Sequence, residues 1–257
     1  MSSYLGRHAE LYDVFYADKP YDRESAFVHE CLQRYGSRHV RRLLELACGT
    51  GSHAFELEKL GYEIVALDYS KDMLAAARRK GKQTSSKVRF QRQDMTRLSV
   101  TGAPFDAVIC LFDSIGYVQT NEGLSQVFEG VRKHLAAGGL FVFEFWHGAA
   151  MIRSYEPVRV RRWSVPGGEI LRISETTLLT EEQLCSVAYS IYELRADGTF
   201  SSLQETQTNR YFLLQEMSGW LTTYGFTPLG WFSGFNENSN ITEDTWHIVA
   251  VARRERD

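Results

Sequence analysis

The chain has 257 residues, a formal net charge of −3 at pH 7 and 44% hydrophobic residues, a size that fits one large α/β domain or one domain with an insertion. No 18-residue apolar run occurs, so a membrane span is excluded, and the start from Met1 to His8 lacks the apolar segment of a secretory signal. The acidic balance argues against a dedicated nucleic-acid binder, and Cys31, Cys48, Cys110 and Cys185 are too widely spaced for a zinc pair or a disulfide framework. A cytoplasmic protein with no membrane or nucleic-acid partner and no metal site is expected.

Residues 1–38 are expected to be helical. Tyr4, Leu5, His8, Leu11, Tyr12 and Phe15 recur at helical spacing until Pro20 breaks the pattern. A second helix runs from about Tyr21 to Tyr35 and ends at Gly36. From residue 39 strands and helices alternate. Arg42 to Ala47 is an apolar run into a glycine loop, Ser52 to Leu60 is helical, and Glu63 to Leu67 is a strand followed by Asp68. Ser70 caps a helix to Lys80. Strands at Val88 to Gln91 and Phe105 to Leu111, a helix at Glu122 to Leu135, a Gly138-Gly139 turn and a strand at Leu140 to Phe145 complete the series. This order predicts a parallel sheet with helices on both faces, and right-handed crossovers place the strand C-termini on one ligand-binding edge.

Residues 157–212 change character. Val158 to Trp163, Glu169 to Leu178 and Ser186 to Leu194 alternate apolar and polar residues, with hairpin turns at Pro166-Gly167-Gly168 and Ala196-Asp197-Gly198. An antiparallel sheet inserted into the main fold is predicted. A helix from about Leu214 to Tyr224 and strands at Thr227 to Phe232 and Thr245 to Arg253 follow. The domains expected are therefore an N-terminal helical cap at 1–38, a nucleotide-binding α/β domain at 39–156 and 213–257, and the inserted sheet at 157–212. Aromatic residues in the insertion (Trp163, Tyr189, Tyr192, Tyr211, Phe212) suit a lid, a homodimer surface or plain packing on the main sheet.

The segment Glu45-Leu46-Ala47-Cys48-Gly49-Thr50-Gly51 carries the most chemistry. Glycines 49 and 51 let the backbone turn tightly after a strand and approach a ligand, and the following helix offers its N-terminal N–H groups. Asp68 stands 17 residues beyond Gly51, where an acid can accept both hydroxyls of a ribose. Gly49-x-Gly51-x-x-Ala54 also satisfies the dinucleotide fingerprint. Three features favour S-adenosylmethionine over NAD. Glu45 would repel a pyrophosphate but attracts the methionine α-ammonium. Asp94 after the third strand can accept from the adenine amino group, and Met95 can pack on the ring. The second half of the chain offers only a small antiparallel insertion where a dehydrogenase would usually have a substrate domain.

Together, Glu45 to Gly51, Asp68 and Asp94-Met95 resemble the class I S-adenosylmethionine-dependent methyltransferases over roughly residues 10–147, with the two last strands as the closing pair. The resemblance implies a Rossmann-like, seven-stranded, mostly parallel sheet whose last strand is antiparallel, here with an inserted antiparallel β-sheet cap and N-terminal helices. It gives the methionine part of S-adenosyl-L-methionine to Gly49 and Gly51, the ribose to Asp68 and the adenine to Asp94 and Met95. Tyr69 is expected to flank the adenine and Met73 to pack near it, with a core role as the alternative for each. Ala47 and Leu111 complete the expected cofactor set.

Leu11 to Tyr16 and Phe112-Asp113-Ser114-Ile115-Gly116-Tyr117 further resemble the amino-sugar N,N-dimethyltransferases of deoxysugar pathways. In those enzymes N-terminal tyrosines lie over cofactor and substrate, which places Tyr12 and Tyr21 at the site. Some members carry a histidine where this chain has Tyr117. The function expected is methyl transfer to a small-molecule acceptor, an amine such as a nucleotide-linked amino sugar. O-methylation of a secondary metabolite and a non-catalytic cofactor-binding scaffold are the alternatives.

On the acceptor side, Asp113, Ser114 and Tyr117 follow the fourth strand, and Glu144, Trp146 and His147 end the fifth. His147 is the expected base if one is used, and Tyr117, Tyr12 and Asp113 are the other catalytic candidates. His8 and His53 are expected to face solvent or to pack. Arg159 and Arg161 share a strand face, read as exposed, with phosphate binding as the alternative.

Overall fold

The computed structural model describes residues 6–36 and 39–256. The helical readings at Tyr4 and Leu5 and the boundary at 38 lie outside the described residues. Two helices, α1 (Arg7–Phe15) and α2 (Tyr21–Tyr35), precede an alternating series: β1 (Arg42–Glu45), α3 (Ser52–Lys59), β2 (Glu63–Asp68), α4 (Lys71–Thr84), β3 (Arg89–Arg92), β4 (Phe105–Cys110), α5 (Asn121–His134) and β5 (Leu135–Trp146). A short α6 (Gly148–Ser154) leads into β6 (Val158–Val165), β7 (Gly168–Leu179), β8 (Leu184–Arg195) and β9 (Phe200–Arg210). The chain closes with α7 (Leu214–Thr223), β10 (Phe226–Ser233) and β11 (His247–Arg254).

The main sheet has seven strands in the order β10-β11-β5-β4-β1-β2-β3. β1 runs parallel to β2 and β4, β2 to β3, and β4 to β5, whereas β11 is antiparallel to both β5 and β10. The expected parallel sheet with an antiparallel last strand is therefore present. Its central strands are apolar on both sides because helices cover both faces. Leu44, Val108, Phe141 and Phe143 meet Leu124, Phe128 and Val131 of α5 and Leu221 of α7 on one face. Leu43, Ile64, Ile109 and Val142 meet Val28 and Leu32 of α2 and Leu57 of α3 on the other.

The insertion is a four-stranded antiparallel sheet in the order β6-β7-β8-β9. Helix α1 ties it to the main fold. Leu11 and Phe15 pack on Ile170 and Ile191 of the insertion, while Ala9 and Tyr12 pack on Met73 of α4. No helix among the described residues is long and apolar enough to cross a membrane.

Three of the differences from the predicted elements have a local physical cause. β5 starts at Leu135, not at Leu140, because Gly138 (φ 75°) lies within a bulge between the pairs Phe105–Leu135 and Ala107–Leu140. A Cβ on Gly139 would stand 2.9 Å from two carbonyl oxygens, so the glycines let the strand bulge and do not precede it. Helix α6 was not anticipated, since seven residues give too few turns for a periodic signal. Gly168 is the first residue of β7 and pairs with Val165, so the first hairpin turn is Pro166-Gly167 alone.

Candidate active site

The C-terminal edge of the parallel strands, helix α1 and the inner face of the inserted sheet enclose a cavity of about 920 Å³. That is the upper end of ordinary ligand pockets. On the sheet side it is lined by Ala47, Gly49, Asp68, Tyr69 and Met73, with Asp94 and Met95 after β3. Tyr12 lies over this wall, and Asp113 and Tyr117 stand on the loop after β4. A smaller recess of about 30 Å³ adjoins it, lined by Tyr12, Tyr21, Glu45, Ala47 and Leu111 among others. Of the predicted site residues, the structure brings all but Gly51, Glu144 and His147 to one of these two spaces; Glu144 lies buried behind the wall.

Gly51 and His147 are accounted for by packing. Gly51 holds φ 81° at the start of α3, and a Cβ there would come within 2.9 Å of the Phe90 ring. It keeps the loop close to its neighbours and faces no cavity. His147 is buried, with Nδ1 3.0 Å from the Thr245 carbonyl oxygen, and its residue caps α6. It follows β5 as expected but does not line the cavity, a position that does not suit a base acting on the acceptor. His8 and His53 are buried as well, paired with Glu205 and Glu24 at 2.7 Å. Arg159 and Arg161 are exposed, as expected, and they also line the cavity.

The cofactor wall is built from backbone as much as side chain. Ala47 and Gly49 have φ of 52° and 57°, and a Cβ on Gly49 would stand 3.3 Å from Met73 Cε. Asp68 holds this loop: Oδ2 accepts from Gly49 N at 2.8 Å and Oδ1 from Ser70 N at 2.7 Å. Burial raises its pKa, and the backbone N–H groups of Ser70 and Gly49 oppose that shift. Asp94 accepts from Thr96 N and Oγ1 through Oδ1, at 2.9 and 2.8 Å.

Glu45 tests whether a cationic cofactor fits. Its side chain is buried, Oε2 has no hydrogen-bond partner, and burial with Asp68 nearby pushes its pKa up to about 8. A buried carboxylate without a partner is costly, and an ammonium group in the recess beside it would supply the missing charge. Glu45, the open glycine loop and Asp68 thus suit the methionine and ribose parts of S-adenosylmethionine. That group supplies an electrophilic methyl on a sulfonium.

A second cluster was not read from the sequence. His247, at the start of β11, places Nδ1 2.8 Å from Asp113 Oδ2 and 3.2 Å from Glu144 Oε1. Asp113 above all raises the His247 pKa, to about 11. Burial and Asp113 raise that of Glu144. Glu144 Oε2 also accepts from Phe112 N at 2.6 Å. Phe112 and Asp113 both sit in the left-handed region, at φ 56° and 54°, a conformation that costs a non-glycine residue energy. Glu144 and His247 hold that loop in place. Asp113 Oδ1 remains buried without a hydrogen-bond partner, on a residue that lines the cavity. The signal in the sequence was faint. An antiparallel closing strand must begin at the ligand edge, but the strand predicted from the sequence starts at Thr245, two residues before His247, the first residue of β11.

A methyltransferase-domain profile matches residues 43–139. The dTDP-3-amino-3,6-dideoxy-alpha-D-glucopyranose N,N-dimethyltransferase of Streptomyces fradiae is 30% identical over 194 residues, which is 74% of this chain and 72% of that one. Among solved structures, an S-adenosylmethionine-dependent methyltransferase from Clostridium acetobutylicum superposes with a TM-score of 0.83 at 22% identity, over 97% of this chain and 98% of that one. A calicheamicin amino pentose methyltransferase from Micromonospora echinaspora, solved with S-adenosylmethionine bound, gives 0.77 at 22% identity, over 99% of each chain. With the glycine loop, the partnerless Glu45 and this relationship together, the chain belongs to the S-adenosylmethionine-dependent methyltransferases.

Proposed function

We propose that the enzyme methylates the nitrogen of a small-molecule amine held in the 920 Å³ cavity, and that an amino sugar carried on a nucleotide is the first acceptor to try. The observation that supports this reading is the Asp113–His247–Glu144 cluster. With its pKa near 11, His247 stays protonated at neutral pH and is no base. The acceptor side of the cavity then offers a carboxylate oxygen and the Tyr117 hydroxyl. A carboxylate can orient an amine and accept its N–H, and a neutral amine attacks without further help. An alcohol needs a stronger base than these groups provide. Displacement at the methyl then depends on alignment, which the cavity walls and Tyr12 supply, and the methylated nitrogen gives up its extra proton to water.

In this reading Glu45 and the recess hold the methionine end, Asp68 the ribose, and Asp94 with Met95 the adenine. Tyr117, whose Oη lies 3.3 Å from Gln207 Oε1, holds the acceptor from the β9 side. The test is a labelled-methyl screen over amines, phenols, sugar nucleotides, protein and RNA. Saturable transfer to amines supports the reading. Transfer to protein or RNA with none to small molecules overturns it.

A further inference from the structure

The wall opposite the cofactor carries an unexplained positive charge. Arg172 of β7 is 6% exposed and lines the cavity. Its guanidinium carbon lies 4.8 Å from the Phe15 ring centre, 5.0 Å from Trp163, 5.3 Å from Tyr189 and 6.0 Å from Tyr16. These rings orient the group, but they do not replace a counter-ion. Its Nε is buried without a hydrogen-bond partner. Directly across the β6–β7 pair stands Arg161, also on the cavity.

Like charges placed opposite one another in a sheet repel, and a buried arginine cannot shed its proton to relieve the cost. The acids of the inserted sheet's inner face are already engaged. Glu193 pairs with Arg7, and Glu205 pairs with His8 at 2.7 Å. Glu156, which also lines the cavity, is held by Arg159 at 2.6 Å. Among the described residues, no carboxylate forms an ion pair with Arg172 or Arg161.

We infer that Arg172 and Arg161 form an anion subsite, and that the acceptor carries a phosphoryl or carboxylate group which docks there. The aromatic box fixes the plane of the Arg172 guanidinium, so that its N–H groups are arranged in advance for an oxyanion. Arg161, exposed on the neighbouring strand, adds charge at the mouth. The inference rests on the reading of this cavity as the acceptor site, and it does not depend on whether nitrogen or oxygen is methylated.

The test is calorimetric titration of the full chain, saturated with S-adenosylhomocysteine, with inorganic pyrophosphate and separately with malonate at low salt. Saturable binding of either supports the subsite. Pyrophosphate alone identifies a phosphoryl acceptor, and malonate alone a carboxylate. Arg172→Gln should weaken that binding about tenfold or more, as loss of a charge-assisted contact does. Arg161→Gln, at an exposed position that leaves the core intact, should weaken it about threefold. Affinity for S-adenosylhomocysteine should stay within about twofold in both variants. Absence of binding by either anion, or wild-type anion affinity in both variants, overturns the inference. Equal kcat/KM for a neutral amine and its phosphorylated counterpart would overturn it while leaving N-methylation standing. O-methylation of an anionic acceptor would do the reverse.

Discussion

Glu45 and His247 are the two residues whose surroundings make the sharpest demands. With its pKa near 8, Glu45 binds a proton in the free enzyme at pH 6 that it does not bind in the unfolded chain. A cation beside it favours the carboxylate, so cofactor binding releases that proton. Affinity for S-adenosylmethionine should therefore rise from pH 6 to about pH 8, by up to about tenfold per unit, and Glu45→Gln should flatten the rise. Calorimetry at both pH values checks this, and equal wild-type affinities would contradict it. For His247 the shift is upward, so its ion pairs contribute fully below about pH 6.5 and are lost only as pH climbs through about 11. The histidine's NMR signals should not titrate between pH 6 and 9, and the rate profile should show no histidine ionisation there. His247→Gln should lower kcat by about tenfold or more with cofactor affinity nearly unchanged, because the Asp113 loop loses its clamp. Tyr117→Phe should cost about 10-fold to 100-fold in turnover. Asp68, Asp94 and the glycines could be read from the chain because their spacing from strand ends is set locally. His247 and Arg172 could not, because their roles depend on which distant strand lies opposite.

At the scale of elements, the loop after β4 and strand β9 meet at Gly116. A Cβ there would lie 2.7 Å from the Arg210 carbonyl oxygen and 3.4 Å from Asn209 Nδ2. Gly116→Ala must push β9 and the loop apart, which moves Gln207 and Asn209 relative to Tyr117. Steady-state kinetics should show a raised acceptor KM, while S-adenosylhomocysteine binding is retained. Wild-type kinetics would mean that the insertion is not part of the acceptor wall. The central parallel strands were legible because burial on both faces makes their interiors apolar, and the glycines punctuate them. The last strand of the insertion was implied only by the turn at Ala196 to Gly198. Its sequence, Phe200 to Arg210, is mostly polar, and its buried side chains include Gln207, Asn209 and Arg210. A polar strand that faces a cavity gives no alternation of apolar residues to detect.

On the scale of the whole molecule, the two sheets act as opposite walls, with α1 packed between them. The main sheet supplies the acids for a cationic cofactor, and the insertion supplies Arg161 and Arg172. A net charge of −3 hides this separation, which is why composition pointed only away from nucleic acid. Binding of S-adenosylhomocysteine to the folded state alone should raise thermal stability, by about 2.7 kcal/mol at a hundred times its Kd. NAD should give no such shift in a melting experiment, and an equal shift would contradict the assignment of the glycine loop. The central claim, that a methyl group passes to the nitrogen of a small molecule in the cavity between these walls, is tested most directly by turnover of ¹³C-methyl-labelled S-adenosylmethionine with an amino-sugar nucleotide and with the analogue bearing hydroxyl in place of the amine. The account predicts a single new class of N-methyl resonance with the amine and none with the hydroxyl analogue; an O-methyl resonance from the hydroxyl analogue, formed as fast as or faster than any N-methyl product, would contradict it.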